Sequence, residues 1–159
     1  MNIKVLAVGG IKERFIKDGI QEYVKRLGPY ARLEIIEVPD EKTPEQASTA
    51  EEEQIKGREA AKLMKHIKAG TLVVALAIEG KAYSSEELAE QLQQWALKGQ
   101  SDVTFVIGGS LGLHREVLER ADLKLSFSRM TFPHQLMRLI LVEQIYRSFK
   151  IWRGEPYHK

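Results

Sequence analysis

Apolar positions fall into five short continuous runs separated by longer stretches of helical period. The runs are Ile3 to Val8, Leu33 to Val38, Leu72 to Ile78, Val103 to Ile107 and Leu123 to Phe127, mostly β-branched and aliphatic. Runs of this length and composition predict strands, and their lack of apolar/polar alternation predicts burial on both faces. Between them, Phe15, Ile16, Ile20, Tyr23, Val24 and Leu27 recur at helical spacing, as do Ile55, Leu63, Met64 and Ile67, and then Leu88, Leu92 and Trp95. Ser84 followed by Glu87 has the form of a capping box, which fixes a helix start. The resulting β-α-β-α-β-α-β-α-β-α order predicts an α/β fold with a mostly parallel sheet, helices on both faces, and ligands at the carboxyl ends of the strands.

Two stretches depart from this regularity. Pro39 to Glu53 is acid-rich, carries Pro39 and Pro44, and interrupts both periods, which predicts a mobile loop. The last helix, from about Pro133 to Trp152, is apolar nearly all round. Eleven large apolar residues between Leu136 and Trp152 exceed what one buried face can hide. A homodimer formed through this helix is the expectation.

Length and composition narrow the class. A chain of 159 residues fits one compact domain, 1-159, with 43% hydrophobic and 29% charged residues. It has no cysteine, so disulfides, thiolate nucleophiles and zinc-thiolate sites are excluded; no metal is expected. Met1 to Gly9 reads as a strand instead of a signal peptide, and no run approaches membrane-spanning length. A cytoplasmic protein with no membrane partner is expected.

The net charge of +2 says little, but its distribution is uneven: Glu37 to Glu59 holds eight acids against three bases, and Arg129 to Lys159 holds six bases against two acids. The C-terminal fifth is the candidate surface for a polyanion.

Three segments converge on one edge of the expected sheet. Val106 to Leu113 runs from the fourth strand through Gly108-Gly109-Ser110-Leu111-Gly112, where backbone can approach a ligand closely. Ser126 to Phe132 leads from the fifth strand into Pro133, a residue suited to the first position of a helix. Leu76 to Lys81 ends the third strand. Each alone is an ordinary strand-to-helix connection; together they make a pocket. A dinucleotide site is disfavoured, because the glycine motif lies two-thirds along the chain and no ribose-binding acid ends the next strand; no Walker A lysine follows either.

The strings Val106 to Leu113, Leu125 to Arg138, Glu143 to Arg147 and Arg153 to Lys159, with Lys25 to Tyr30 and Pro39 to Lys42, resemble the RlmH family. These are SPOUT-class methyltransferases that methylate N3 of a pseudouridine in large-subunit (23S) ribosomal RNA. The resemblance spans essentially the whole chain. It implies a C-terminal trefoil knot, which periodicity cannot reveal, a homodimer, and S-adenosyl-L-methionine as cofactor. It places cofactor contacts at Leu76, Gly108, Phe127, Ser128, Arg129, Met130, Thr131 and Phe132, and it implies large-subunit rRNA within the ribosome as partner.

Removing the N3 proton calls for a base, and His134, Tyr157 and His158 are the candidates. His134 comes first: in the opening turn of a helix the dipole disfavours imidazolium. Arg138, Arg147 and Arg153 are candidate phosphate contacts, with Tyr157 stacking on a base and His158 beside it. The terminal segment Arg153 to Lys159 is expected to be mobile without RNA. His66 and His114 read as structural. Two rivals remain: an NADP-dependent oxidoreductase using Arg129 on a 2′-phosphate, and a non-catalytic ribosome-binding factor that needs no cofactor pocket.

Overall fold

The structure, a computed structural model, describes residues 1–159. Five parallel strands stand in the order β2-β1-β4-β3-β5, with β1 Asn2–Val8, β2 Arg32–Val38, β3 Leu72–Ala82, β4 Asp102–Ile107 and β5 Leu123–Ser126. Five helices alternate with them: α1 Arg14–Leu27, α2 Thr49–Met64, α3 Ser85–Leu97, α4 Arg115–Arg120 and α5 His134–Trp152.

Strand pleating sorts the side chains onto two faces. Ile3, Val5 and Ala7 of β1, with Val103, Phe105 and Ile107 of β4, point toward Leu27, Leu92, Leu141 and Ile145 of α1, α3 and α5 in a core of 18 buried residues. Leu6 and Val8, with Val106 and Val73, point the other way, toward Ala60 and Leu63 of α2 and Val117 of α4, in a core of 8. Both faces of the sheet are dry, as continuous apolar runs require.

The helix starts follow from their caps. Ser84 caps α3, its hydroxyl accepting from the Glu87 amide while the Glu87 carboxylate accepts from the Ser84 amide. Ser48 and Glu51 make the same reciprocal pair at α2. The loop expected to run to Glu53 therefore ends at Ser48, because its last acids form the first turn of a helix, where the dipole favours them. His114 is structural: its Nδ1 accepts from the Glu116 amide and caps α4.

The third strand also differs from expectation. It does not end at the 76–81 segment. Its ladder with β5 breaks after Leu76 and resumes at Lys81, so that Ala77 to Gly80 bulge out of register and the strand continues to Ala82. An irregularity of this kind bends the strand and re-aims its side chains.

Helix α5 buries Leu141, Val142, Ile145, Tyr146 and Phe149 against the sheet, α1 and α3. Leu136, Met137, Leu139, Ile140, Ile151 and Trp152 stay half-buried in the single chain.

Candidate functional site

Beyond the carboxyl ends of β3, β4 and β5 lies a cleft of about 780 Å³, walled by the β3 bulge, the glycine turn after β4 and the segment from β5 into α5. Its form depends on the glycines. A Cβ on Gly108 would stand 2.7 Å from the Gly112 carbonyl carbon and 2.8 Å from its oxygen, closer than any side chain tolerates. Gly112 turns the chain back at φ +84° and donates its amide to the Gly109 carbonyl at 3.0 Å. The turn thus folds onto itself and brings backbone to the cleft beside Ser110, Leu111 and Leu113.

The segment after β5 is set by two serines. The Ser126 hydroxyl donates to the Ser128 carbonyl, and the Ser128 hydroxyl accepts from the Met130 amide at 3.0 Å. The amides of Phe127, Ser128, Arg129, Thr131 and Phe132 donate to no other backbone group, which leaves them available to a ligand. Met130 is 72% exposed, and Phe132 and Ile78 are exposed beside it, giving the mouth an apolar rim.

Of the residues expected here, Leu76, Gly108, Phe127, Ser128, Met130, Thr131 and Phe132 line the cleft, together with His134; Arg129 is exposed and does not. Lys56 of α2 and Met137 of α5 also line it. Nothing in their sequence neighbourhood marks them, since they arrive from helices packed alongside. No group of three or more His, Asp or Glu side chains is placed to hold a metal, and no helix is long and apolar enough to cross a membrane.

His134 opens α5 behind the N-cap Pro133 and is half-buried on the inner wall. Burial lowers its pKa below the usual imidazole value; the Arg138 charge lowers it further and Asp40 partly offsets this. The ring is therefore neutral near pH 7 and able to accept a proton.

The residues expected to hold RNA are arranged otherwise. Arg138 must be corrected: it is 1% exposed, with Nη1 donating to the Glu37 carboxylate and Nη2 to the Gly9 carbonyl at 2.9 Å, so no phosphate reaches it. Arg147 gives Nε and Nη2 to the Glu143 carboxylate at 3.0 and 2.6 Å, lies over the Tyr157 ring, and meets His158 Nδ1 through Nη1. The Tyr157 hydroxyl donates to Glu143 at 2.8 Å and its ring packs edge-on against Tyr146. Burial, the Tyr23 hydroxyl and the Glu143 carboxylate all push the Tyr157 phenol above its usual range, which makes it a donor and a poor base. His158 Nε2 lies 2.7 Å from Glu86. Arg153 alone of these arginines is exposed, its guanidinium over the Tyr30 ring.

The tail expected to be mobile is thus fastened to α5, α1 and α3. Glu155 adds bonds from Lys150 and Tyr30. None of Arg147, Arg153, Tyr157 and His158 lines the cleft of its own chain.

A parallel α/β sheet with backbone-lined loops gathered at its carboxyl edge defines the class. Residues 1–158 match the family described as predicted SPOUT methyltransferase, and the chain belongs to that family. The trefoil knot comes with membership, since strand order by itself does not display it. Over 159 residues, the whole of both chains, the sequence is 61% identical to the protein of Carboxydothermus hydrogenoformans called ribosomal RNA large subunit methyltransferase H. It is 58% identical, again over both full lengths, to the protein of the same name from Alkaliphilus oremlandii.

Solved structures share the fold at low identity. A probable methylase family protein from Haemophilus influenzae superposes with a TM-score of 0.54 at 13% identity, over 99% of this chain and 70% of that one. A Legionella pneumophila protein, determined in complex with bound SAM, gives 0.50 at 11%, over 93% of this chain and 66% of that one.

Proposed function

We propose that this chain transfers a methyl group from S-adenosyl-L-methionine to large-subunit ribosomal RNA, at N3 of a pseudouridine in the assembled ribosome, and that it does so as a homodimer. The observation that carries the reading is identity of 61% and 58% along the full chain to two proteins named for methylation of large-subunit rRNA.

The cleft fits this cofactor. Backbone at Gly108 and the free amides of the 127–132 segment suit an adenine and a ribose, and the apolar walls suit a ligand without phosphates. The oxidoreductase alternative loses support, because Arg129, its intended 2′-phosphate partner, stands outside the lining.

When bound, the cofactor supplies an electrophilic methyl for in-line attack. The protein's part is alignment, worth up to ~7 to 11 kcal/mol in favourable cases, and the handling of one proton. The loops after β4 and β5 would hold the cofactor. His134, neutral at working pH, accepts the N3 proton as the nitrogen attacks. Exposed Arg153 is available to meet a phosphate. The half-buried apolar residues of α5 outside the cleft, Leu136, Leu139, Ile140, Ile151 and Trp152, supply the dimer contact.

Mass spectrometry of ribosomal RNA from cells with and without the gene tests the proposal. A methylated pseudouridine should vanish from the large-subunit RNA in the deletion and return with the gene. Unchanged rRNA would overturn the reading. Sedimentation at micromolar concentration should give about twice the 18.1 kDa chain mass; a monomer would overturn the dimer.

A further inference from the structure

The buried guanidinium of Arg138 has no role in the function just described. Its Nη1 and Nη2 join Glu37 at the end of β2 and the Gly9 carbonyl at the end of β1, while its Nε is the one buried side-chain nitrogen without a partner. Glu37, its counter-charge, is 45% exposed in its side chain. A buried cation with an exposed partner and an unmade hydrogen bond is a poor stabiliser, and an apolar residue of similar volume commonly serves stability as well or better.

Its surroundings suggest what the charge is for. Arg138 lies one helical turn after His134 on α5. The His134 ring lies near the residue that Arg138 holds: a Cβ built on Gly9 would stand 3.9 Å from His134 Nε2 and 3.8 Å from the Asp40 side chain. Gly9, in turn, is fixed by its amide on the Val38 carbonyl. Gln135, beside His134, accepts from the Lys12 amide and fastens the same segment to the start of α5.

We infer that Arg138 is a positioning residue for methyl transfer, clamping the ends of β1 and β2 to α5 so that the His134 imidazole is held against Gly9 on the wall of the cleft. This rests on the reading of His134 as proton acceptor. The charged groups that act on the ring are Arg138 from its own helix and Asp40 from the segment after β2; Lys56 of α2 lines the same cleft, and Glu37 is engaged by Arg138. With Arg138 in place the ring sheds its proton more readily than with Asp40 alone.

The test is the pH profile of methyl transfer to intact ribosomes by the full-length protein, run beside NMR titration of the His134 ring. In Arg138→Met, cofactor KM should stay within about 3-fold while kcat near pH 7 falls about 10-fold or more, and the acid limb should move upward by about one pH unit together with the His134 titration. Arg138→Lys should return the limb toward its original position without restoring the full rate.

If Arg138→Met does not fold, the Arg138→Met/Glu37→Gln double variant leaves no charge unpaired and should show the same upward displacement. A lower rate with the limb and the His134 titration unmoved, in either variant, would reduce Arg138 to a structural role and overturn the inference. His134→Gln separates the two readings: normal turnover in that variant rejects His134 as the base, whereas the NMR titration still decides whether Arg138 governs the ring.

Discussion

At its amino end helix α5 leaves a buried donor without a partner, and toward its carboxyl end its polar side chains are closely engaged. His134 and Arg138 sit beside the cleft with a neutral ring and a guanidinium lacking one partner. Farther along, Glu143 takes bonds from Arg147 and Tyr157, Lys150 from α5 and Tyr30 from the turn after α1 share the Glu155 carboxylate, and His158 closes on Glu86. The contrast corrects an inference from charge counting. The C-terminal fifth is basic by composition, yet two of its cations are engaged by carboxylates nearby in the chain, Glu143 four residues before Arg147 and Glu155 five after Lys150, and Arg138 is held by Glu37 of β2. Where polar groups pair locally the protein is fastening its own chain; where a buried donor is left without a partner, chemistry is expected.

The contrast should break most visibly at the glycine turn. Gly108→Trp should abolish binding of S-adenosyl-L-methionine in calorimetry, and Gly108→Ala, which sets a Cβ 2.7 Å from Gly112, should weaken it at least ~10-fold. Unchanged affinity in folded variants would move the cofactor site elsewhere.

Next in size is deletion of Arg153 to Lys159. Cofactor affinity and dimerisation should hold, because no residue of this segment lines the cleft. Transfer to ribosomes should fall at least ~10-fold, equivalent to about 1.4 kcal/mol of transition-state stabilisation. The fastened tail adds a second effect: thermal unfolding should drop by about 4 to 8 °C through the lost Glu155 and Tyr157 contacts, for a loss of roughly 2 kcal/mol. Normal turnover by the truncated protein would exclude the tail from the RNA site.

A smaller change, Tyr157→Phe, removes the hydroxyl bond to Glu143 and the 3.5 Å contact with the Tyr23 hydroxyl, and should cost about 1 kcal/mol in denaturant unfolding while the Arg147 pair persists.

The smallest effect belongs to Glu59, a buried carboxylate beneath the glycine turn that accepts from the Glu41 amide. Burial first, then Asp40 and Glu41, raise its pKa despite that hydrogen bond. With the folded value above the unfolded one, the native state holds this proton more tightly. Its contribution is complete below the ordinary carboxylate range and is lost as pH rises through the folded value. Glu59→Gln should therefore gain less than about 1 kcal/mol at neutral pH and flatten the fall in stability above the ordinary carboxylate range, as read from urea midpoints at a series of pH values.

Much of the architecture was legible because burial on two faces writes itself as continuous β-branched runs, and all five strands lie where those runs fall. The start of α3 was legible through Ser84 and Glu87. The same device at Ser48 and Glu51 was hidden in a stretch whose acids and prolines suggested a loop. The β3 extension was hidden because Glu79, Gly80 and Lys81 look like the end of a strand, whereas the break in its ladder is defined only by the neighbour β5.

At the site, the glycine turn could be found because close backbone approach demands a particular residue. Lys56 and Met137 are ordinary residues brought in by packing. Arg138 shows the limit most clearly. An arginine in an apolar helix suits either a phosphate or a buried carboxylate, and its partners lie 101 and 129 residues away in sequence.

The strand order has a consequence for the protein at high concentration. A sheet that does not close on itself exposes two borders with unpaired backbone groups, each a template on which another chain can extend into a fibre. Here one border is β2, which sets exposed Arg32, Glu34 and Glu37 along its length, and the other is β5, only four residues long with exposed Lys124. Both are poor templates: one repels an added strand by its ionic side chains, and the other is too short to hold it. Copies of this chain are thereby steered away from growth along the sheet and left to meet through their helices.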